Sequence, residues 1–138
     1  MFFAMKDLGT GIMFFCLWIN RQFSYKIIAM NDISGIKQEL EEITKVITET
    51  VPVESIYLFG SYAYGTPRED SDFDLYIVFK DEMDMRELDA IRSVRFAMNS
   101  IKTKPIDFLG LKKNRFLDRK IYATLERKID REGVKLYG

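Results

Sequence analysis

From Met30 onward, apolar and polar positions alternate in patterns that name one element after another. Ile33, Ile36, Leu40, Ile43 and Ile47 recur at three- and four-residue spacing, which predicts an amphipathic helix starting near Asn31 or Asp32 and ended by Pro52. Ser55 to Phe59 is a short apolar run, a predicted buried strand that stops at Gly60. Gly60 to Ser71 carries two glycines and a proline among polar residues, the composition of a turn and loop. Phe73 to Phe79 is strongly strand-like. Met85, Leu88, Ile91, Val94, Met98 and Ile101 form the stripe of a second helix. Ile106 to Leu111, entered through Pro105, reads as a third strand. Asn114 can cap a last helix with apolar positions Leu117, Ile121, Leu125 and Ile129, terminated at Gly133. Helix, strand, loop, strand, helix, strand, helix describes a small mixed α/β (α+β) domain with helices packed on a sheet.

The first 29 residues follow another pattern, so the chain divides into an extension, 1–29, and a domain, 30–138. Gly11 to Ile19 is apolar and includes Phe14, Phe15, Leu17 and Trp18. It falls short of the roughly 20 apolar residues of a membrane-spanning helix. Asp7 and the lack of a small-residue cleavage site argue against a signal peptide. A structured extension, an interfacial segment and translation from a start upstream of Met30 remain open, and the position of Met30 favours the last.

Composition narrows the chemistry. The 138 residues suit one domain, and 47% apolar content is enough for a core. Twenty-one basic residues balance 21 acidic ones, which argues against a nucleic-acid partner held through its phosphates. The absence of histidine excludes His-based triads and most zinc sites. The single cysteine, Cys16, allows no internal disulfide and points to a cytoplasmic protein. Catalysis here must run on carboxylates, hydroxyls, Lys, Arg or a hard metal.

Such groups concentrate between Gly60 and Asp74. Gly60 lets the backbone approach a ligand closely, and a short helix starting at Ser61 would aim N–H groups and a hydroxyl at a phosphate. Asp72 and Asp74 stand two apart, so on a strand both carboxylates face one side while Phe73 enters the core. Paired carboxylates call for a cation, and oxygen-only ligands favour magnesium. Asp107, inside the otherwise apolar strand Ile106-Asp107-Phe108-Leu109, completes a triad if that strand lies beside the one holding Asp72 and Asp74. Arg68 is a candidate contact for a phosphate or an acceptor. Tyr62 and Tyr64 are weaker candidates for stacking on a base, since aromatic residues beside a turn more often pack. Lys102 and Lys104 read as a polar connection.

Gly60-Ser61-Tyr62-Ala63-Tyr64-Gly65 and Ser71-Asp72-Phe73-Asp74-Leu75, with ten residues between Ser61 and Asp72, resemble the DNA polymerase beta nucleotidyltransferase superfamily. Within it the chain is similar to the minimal nucleotidyltransferases, from about Ile33 through the closing Gly133-Val134-Lys135-Leu136-Tyr137. The resemblance implies two magnesium ions held by Asp72, Asp74 and Asp107, with Gly60 and Ser61 on the triphosphate of ATP. Similar proteins include antitoxins that transfer AMP from ATP to a tyrosine hydroxyl of a helical HEPN-domain toxin. The expected function is therefore that of a cytoplasmic protein adenylyltransferase and antitoxin, with no membrane attachment. A small-molecule nucleotidyltransferase of the aminoglycoside-modifying kind, or a non-catalytic antitoxin acting by occlusion, stands as the alternative. Intact carboxylates argue against the second, and the roughly 110 residues after Met30 leave little chain for the acceptor pocket of the first.

Overall fold

A computed structural model describes residues 36–101 and 103–138. The 1–29 extension, Cys16, Ile33, the helix start at Asn31 or Asp32, and Lys102 lie outside the described residues. The elements are α1 (Lys37–Thr50), β1 (Val53–Phe59), α2 (Ser61–Tyr64), β2 (Phe73–Phe79), α3 (Glu87–Met98), β3 (Ile106–Lys112), α4 (Lys113–Arg119), α5 (Leu125–Glu132) and β4 (Val134–Tyr137). The four strands form one mixed sheet in the order β3-β2-β1-β4. β1 is antiparallel to both β2 and β4, while β2 and β3 are parallel and joined across α3. A parallel pair needs such a crossover because the chain must return to its starting edge.

Strand periodicity divides the core in two. Phe73, Leu75, Ile77 and Phe79 of β2 face α1 and α3, where they meet Leu40, Ile43, Ile47, Ala90, Val94 and Met98. Tyr76 and Val78 face the other way, with Tyr57, onto Phe116 of α4 and Ile129 of α5. β2 is covered on both faces, which explains its unbroken apolar run.

Most predicted elements form, with differences that have physical causes. β1 begins at Val53, two residues before the expected start, because Val53 pairs with Phe79. The helix expected to run from Met85 to Ile101 is shorter: Met85 precedes it, Leu88 is exposed on it, and Ala90, Val94 and Met98 make its buried stripe. The expected last helix is two. Asn114 does not cap it; that residue lies within α4 and its N–H donates to Asp81 Oδ1. Thr124 separates the two helices, its hydroxyl donating to the Arg119 carbonyl at 2.8 Å and accepting from the Arg127 N–H at 3.4 Å as the N-cap of α5. Phe116, not Leu117 or Ile121, anchors α4, and both of those leucine and isoleucine side chains are exposed. Gly133 does end α5, with extended rather than left-handed backbone, and leads into β4, a strand the apolar pattern did not announce.

Candidate active site

At the end of β1 the chain turns through Gly60, whose φ of 71° and ψ of −154° suit glycine almost alone. The single turn of α2 follows, with the Ala63 and Tyr64 N–H groups both donating to the Gly60 carbonyl, and Gly65 closes it in the left-handed conformation at φ 74°. The helical turn at Ser61, which the sequence offered as a condition for a phosphate cradle rather than as an expected element, is present. It places the Ser61 hydroxyl and the first N–H groups of the turn at the end of the sheet.

β2 begins beside this turn. Phe73 is fully buried, Asp74 is half-buried and Asp72, just ahead of the strand, is exposed. Asp74 pairs with Phe59 on one side and Asp107 on the other, so the parallel β2–β3 register sets the two aspartates next to each other. This is the adjacency on which the third carboxylate depends. The Asp74 carboxylate rests against the bare α-carbon of Gly60: a Cβ there would overlap Asp74 Oδ2 and stand 3.0 Å from Cγ. Burial first, then the charges of Asp107 and Asp72, push the Asp74 carboxyl above its ordinary value. Two carboxylates that repel a third, with oxygen-only donors, fit a hard divalent cation, which would turn that repulsion into attraction. Among the described residues no three such side chains already stand close enough together to hold a metal ion. Asp72 and Asp107 are exposed side chains, and Asp74 is half-buried against the Gly60 turn.

Arg68 lies in the loop ahead of Asp72. Its backbone N–H donates to Ser71 Oγ at 2.7 Å and its carbonyl accepts from the Ser71 N–H, closing the turn before Asp72. Its side chain is exposed and makes no ion pair among the described residues. Neither tyrosine of the turn offers an open ring. Tyr62 is buried against Phe73 with ring centroids 4.8 Å apart, and Tyr64 is half-buried with Lys128 Nζ 4.7 Å over its ring.

Two groupings near the site escaped the sequence reading. Tyr76, two residues along the same strand face from Asp74, donates its hydroxyl to Glu126 Oε1 at 3.0 Å. Glu126 is only 5% exposed, and Arg119 Nε lies 3.1 Å from its other oxygen, in an orientation closer to an ion pair than to a hydrogen bond. Burial pushes the Glu126 carboxyl up, but hydrogen bonds from its own backbone N–H and the Tyr76 hydroxyl, with the polar Thr124 and Arg119 side chains beside it, outweigh that and hold it below the usual value. Burial and the Glu126 charge drive the Tyr76 phenol far above its ordinary range, so it remains a donor. The expected stripe favoured Leu125, which is exposed, over Glu126; a three-residue step from Glu126 to the buried Ile129 was the available signal. In the second grouping Lys104 Nζ donates to the Tyr62 hydroxyl at 2.8 Å, while Glu39 Oε1 accepts from Thr103 Oγ1 and the Lys104 N–H.

A strand-end glycine turn, a carboxylate seated on it and a second carboxylate in register on the next strand define a phosphoryl- or nucleotidyl-transfer class of site. The chain belongs to the polymerase beta nucleotidyltransferase family: the family described as "Polymerase beta, Nucleotidyltransferase" matches residues 41–137. Two curated relatives come from Methanocaldococcus jannaschii. "Putative protein adenylyltransferase MJ1379" is 42% identical over 50 residues, which cover 36% of this chain and 50% of that protein, so the match spans about half of the relative's length. "Putative protein adenylyltransferase MJ0128" is 30% identical over 96 residues, covering 70% of this chain and 97% of that protein. Among solved structures, a "putative nucleotidyltransferase" from Sulfolobus solfataricus shares the fold at a TM-score of 0.52 and 22% identity, over 78% of this chain and 85% of that one.

Proposed function

We propose that this chain is a magnesium-dependent protein adenylyltransferase that moves AMP from ATP onto a hydroxyl of a partner protein. The observation that carries the reading is the β2–β3 register, which sets Asp107 beside the Asp74 carboxylate seated on Gly60. Both M. jannaschii relatives bear the name of that activity, which supports a protein acceptor. The resemblance to minimal nucleotidyltransferases favours a tyrosine of a HEPN-domain toxin as the acceptor, and an antitoxin role for the chain.

Asp72, Asp74 and Asp107 are the residues that would hold magnesium, two ions in the full arrangement, and when bound the metal supplies charge neutralisation at the α-phosphate and the leaving pyrophosphate. The Gly60-Ser61 turn receives the triphosphate through N–H groups and the Ser61 hydroxyl, and Arg68 reaches it or the acceptor from the loop. Asp107 accepts the proton of the incoming hydroxyl, whose oxygen then bonds to the α-phosphorus. The bond from that phosphorus to the oxygen bridging to the β-phosphate breaks in line, and pyrophosphate departs.

Label transfer from α-labelled ATP with magnesium tests this in a lysate of the source organism lacking the chain, with wild type and Asp74→Asn in parallel. Label on one protein with wild type alone is the expected result, and phosphotyrosine-type analysis of the labelled residue then identifies the acceptor group. Label on a small molecule would instead place the chain with small-molecule nucleotidyltransferases. An unlabelled partner retained equally by both versions would make it a binding protein.

A further inference from the structure

We propose that Tyr62 and Lys104 form a positioning pair that holds the Gly60-Ser61 turn in register with the three carboxylates. Tyr62 links the glycine turn to the two segments that carry the candidate carboxylates. It follows Ser61 directly in the chain. Its ring packs on Phe73, the residue between Asp72 and Asp74, with centroids 4.8 Å apart. Its hydroxyl receives the Lys104 ammonium at 2.8 Å, three residues ahead of Asp107.

The Lys104 end is itself tied down. The Lys104 N–H and the Thr103 hydroxyl donate to Glu39 Oε1 at 2.8 and 2.6 Å, which fixes the entry to β3 against the first turn of α1. The carbonyl of Pro105, the next residue, accepts from the Phe73 N–H at 3.0 Å, which closes the loop back to β2. Among the described residues one polar contact, from Lys104 to Tyr62, links this framework to α2, a single helical turn with little stability of its own. Lys104 Nζ also stands 5.4 Å over the Tyr62 ring, so the contact has a cation–π component. The hydrogen bond with Tyr62 raises the Lys104 ammonium above its ordinary range, in keeping with a charged donor.

The inference rests on the function proposed above, because it takes Ser61 as a ligand of the triphosphate and the aspartates as ligands of the metal. Its consequence is a coupling: metal on the carboxylates strengthens nucleotide binding at the turn only while the two are held in register. The test measures binding of α-labelled ATP to the full chain by equilibrium dialysis, with manganese and with EDTA. Samples are wild type, Tyr62→Phe, Lys104→Met, the double variant, Lys104→Arg and Asp74→Asn. Tyr62→Phe and Lys104→Met should each weaken manganese-dependent binding about tenfold, below the roughly 10²-fold that a full ångström of misplacement can cost. Binding in EDTA should stay within about twofold of wild type, a pattern that loss of stability alone does not produce. The double variant should be no weaker than the worse single one, and Lys104→Arg, which keeps a donor, should recover most of the loss.

Tyr62→Phe and Lys104→Met that melt lower but bind as tightly as wild type with manganese would overturn the pairing, and so would additive effects in the double variant. In either event, loss of manganese-dependent binding in Asp74→Asn would leave the proposed function standing. Wild-type binding by Asp74→Asn would overturn both.

Discussion

The two faces of the sheet are built from the same strands and do opposite things. Against α1 and α3 the alternate residues Phe73, Leu75, Ile77 and Phe79 are sealed, with Ile43, Ile47, Ala90 and Val94 above them at 0% exposure. On the other face α4 and α5 cover only the middle of the strands, through Phe116 and Ile129. Ahead of that cover stand Asp74, Asp107 and the Gly60 turn. A single β-strand, β2, thus gives all its odd positions to the first core, while its even positions divide between the candidate-site residue Asp74 and the second-core residues Tyr76 and Val78. Stability resides mainly on the first face, which frees the second to hold repelling charges and a buried carboxylate.

Substitutions on each face should separate these roles. Asp74→Asn carries the largest expected effect, a loss of at least ~10²-fold in nucleotidyl transfer, the range for a preorganised electrostatic group. The same change should not lower the melting temperature in metal-free buffer at neutral pH. The Asp74 carboxyl is raised in the folded chain, so its ionised form opposes folding as pH rises through that value, and the amide removes the penalty. An Asp74→Asn protein that melts well below wild type would make Asp74 a structural residue. On the sealed face, Ile77→Ala should cost about 2–5 kcal/mol in chemical denaturation, with transfer per folded molecule changed little. Equal losses of activity and stability there would blur the division between the faces.

Glu126 sharpens the comparison, because it is a charge buried on the catalytic face. Glu126→Gln should destabilise the chain by about 1–3 kcal/mol at neutral pH, through the loss of charge-assisted hydrogen bonds. The Glu126 carboxyl is lowered by folding, so its contribution is present above the ordinary glutamate range and disappears as pH falls through the depressed folded value. Wild type and Glu126→Gln should therefore converge in stability on acidification; a gap that persists at low pH would contradict the assignment. The smallest effect belongs to Thr124→Ala, about 1 kcal/mol, as the cap that separates α4 from α5 is removed. Urea melts are sufficient to measure it.

Signals that are local in the chain were legible in the sequence. β2 was placed from Phe73 to Phe79 because a strand covered on both faces reads as continuous apolar residues. The turn at Ser61 was legible because glycine, a small hydroxyl and a preceding strand coincide. Asp107 stood out as a charge in an apolar run, yet its place beside Asp74 is a fact of register that only the paired strands supply. Glu126 was not legible, since the partner that makes its burial tolerable, Tyr76, lies 50 residues away. β4 was missed because it is an edge strand of four residues, alternately half-buried and exposed, with no apolar run to mark it. Tyr62 was read as a packing residue more readily than as a base-stacking one, and it packs; its bond to Lys104 joins positions 42 residues apart.

Manganese binding followed by electron paramagnetic resonance, with ATP present, tests the shared carboxylate site most directly. Wild type should bind the ion, and Asp72→Asn, Asp74→Asn and Asp107→Asn should each weaken it, with Asp74→Asn weakest because its carboxylate is fixed against Gly60. Unchanged manganese binding in a folded Asp74→Asn chain would contradict the account.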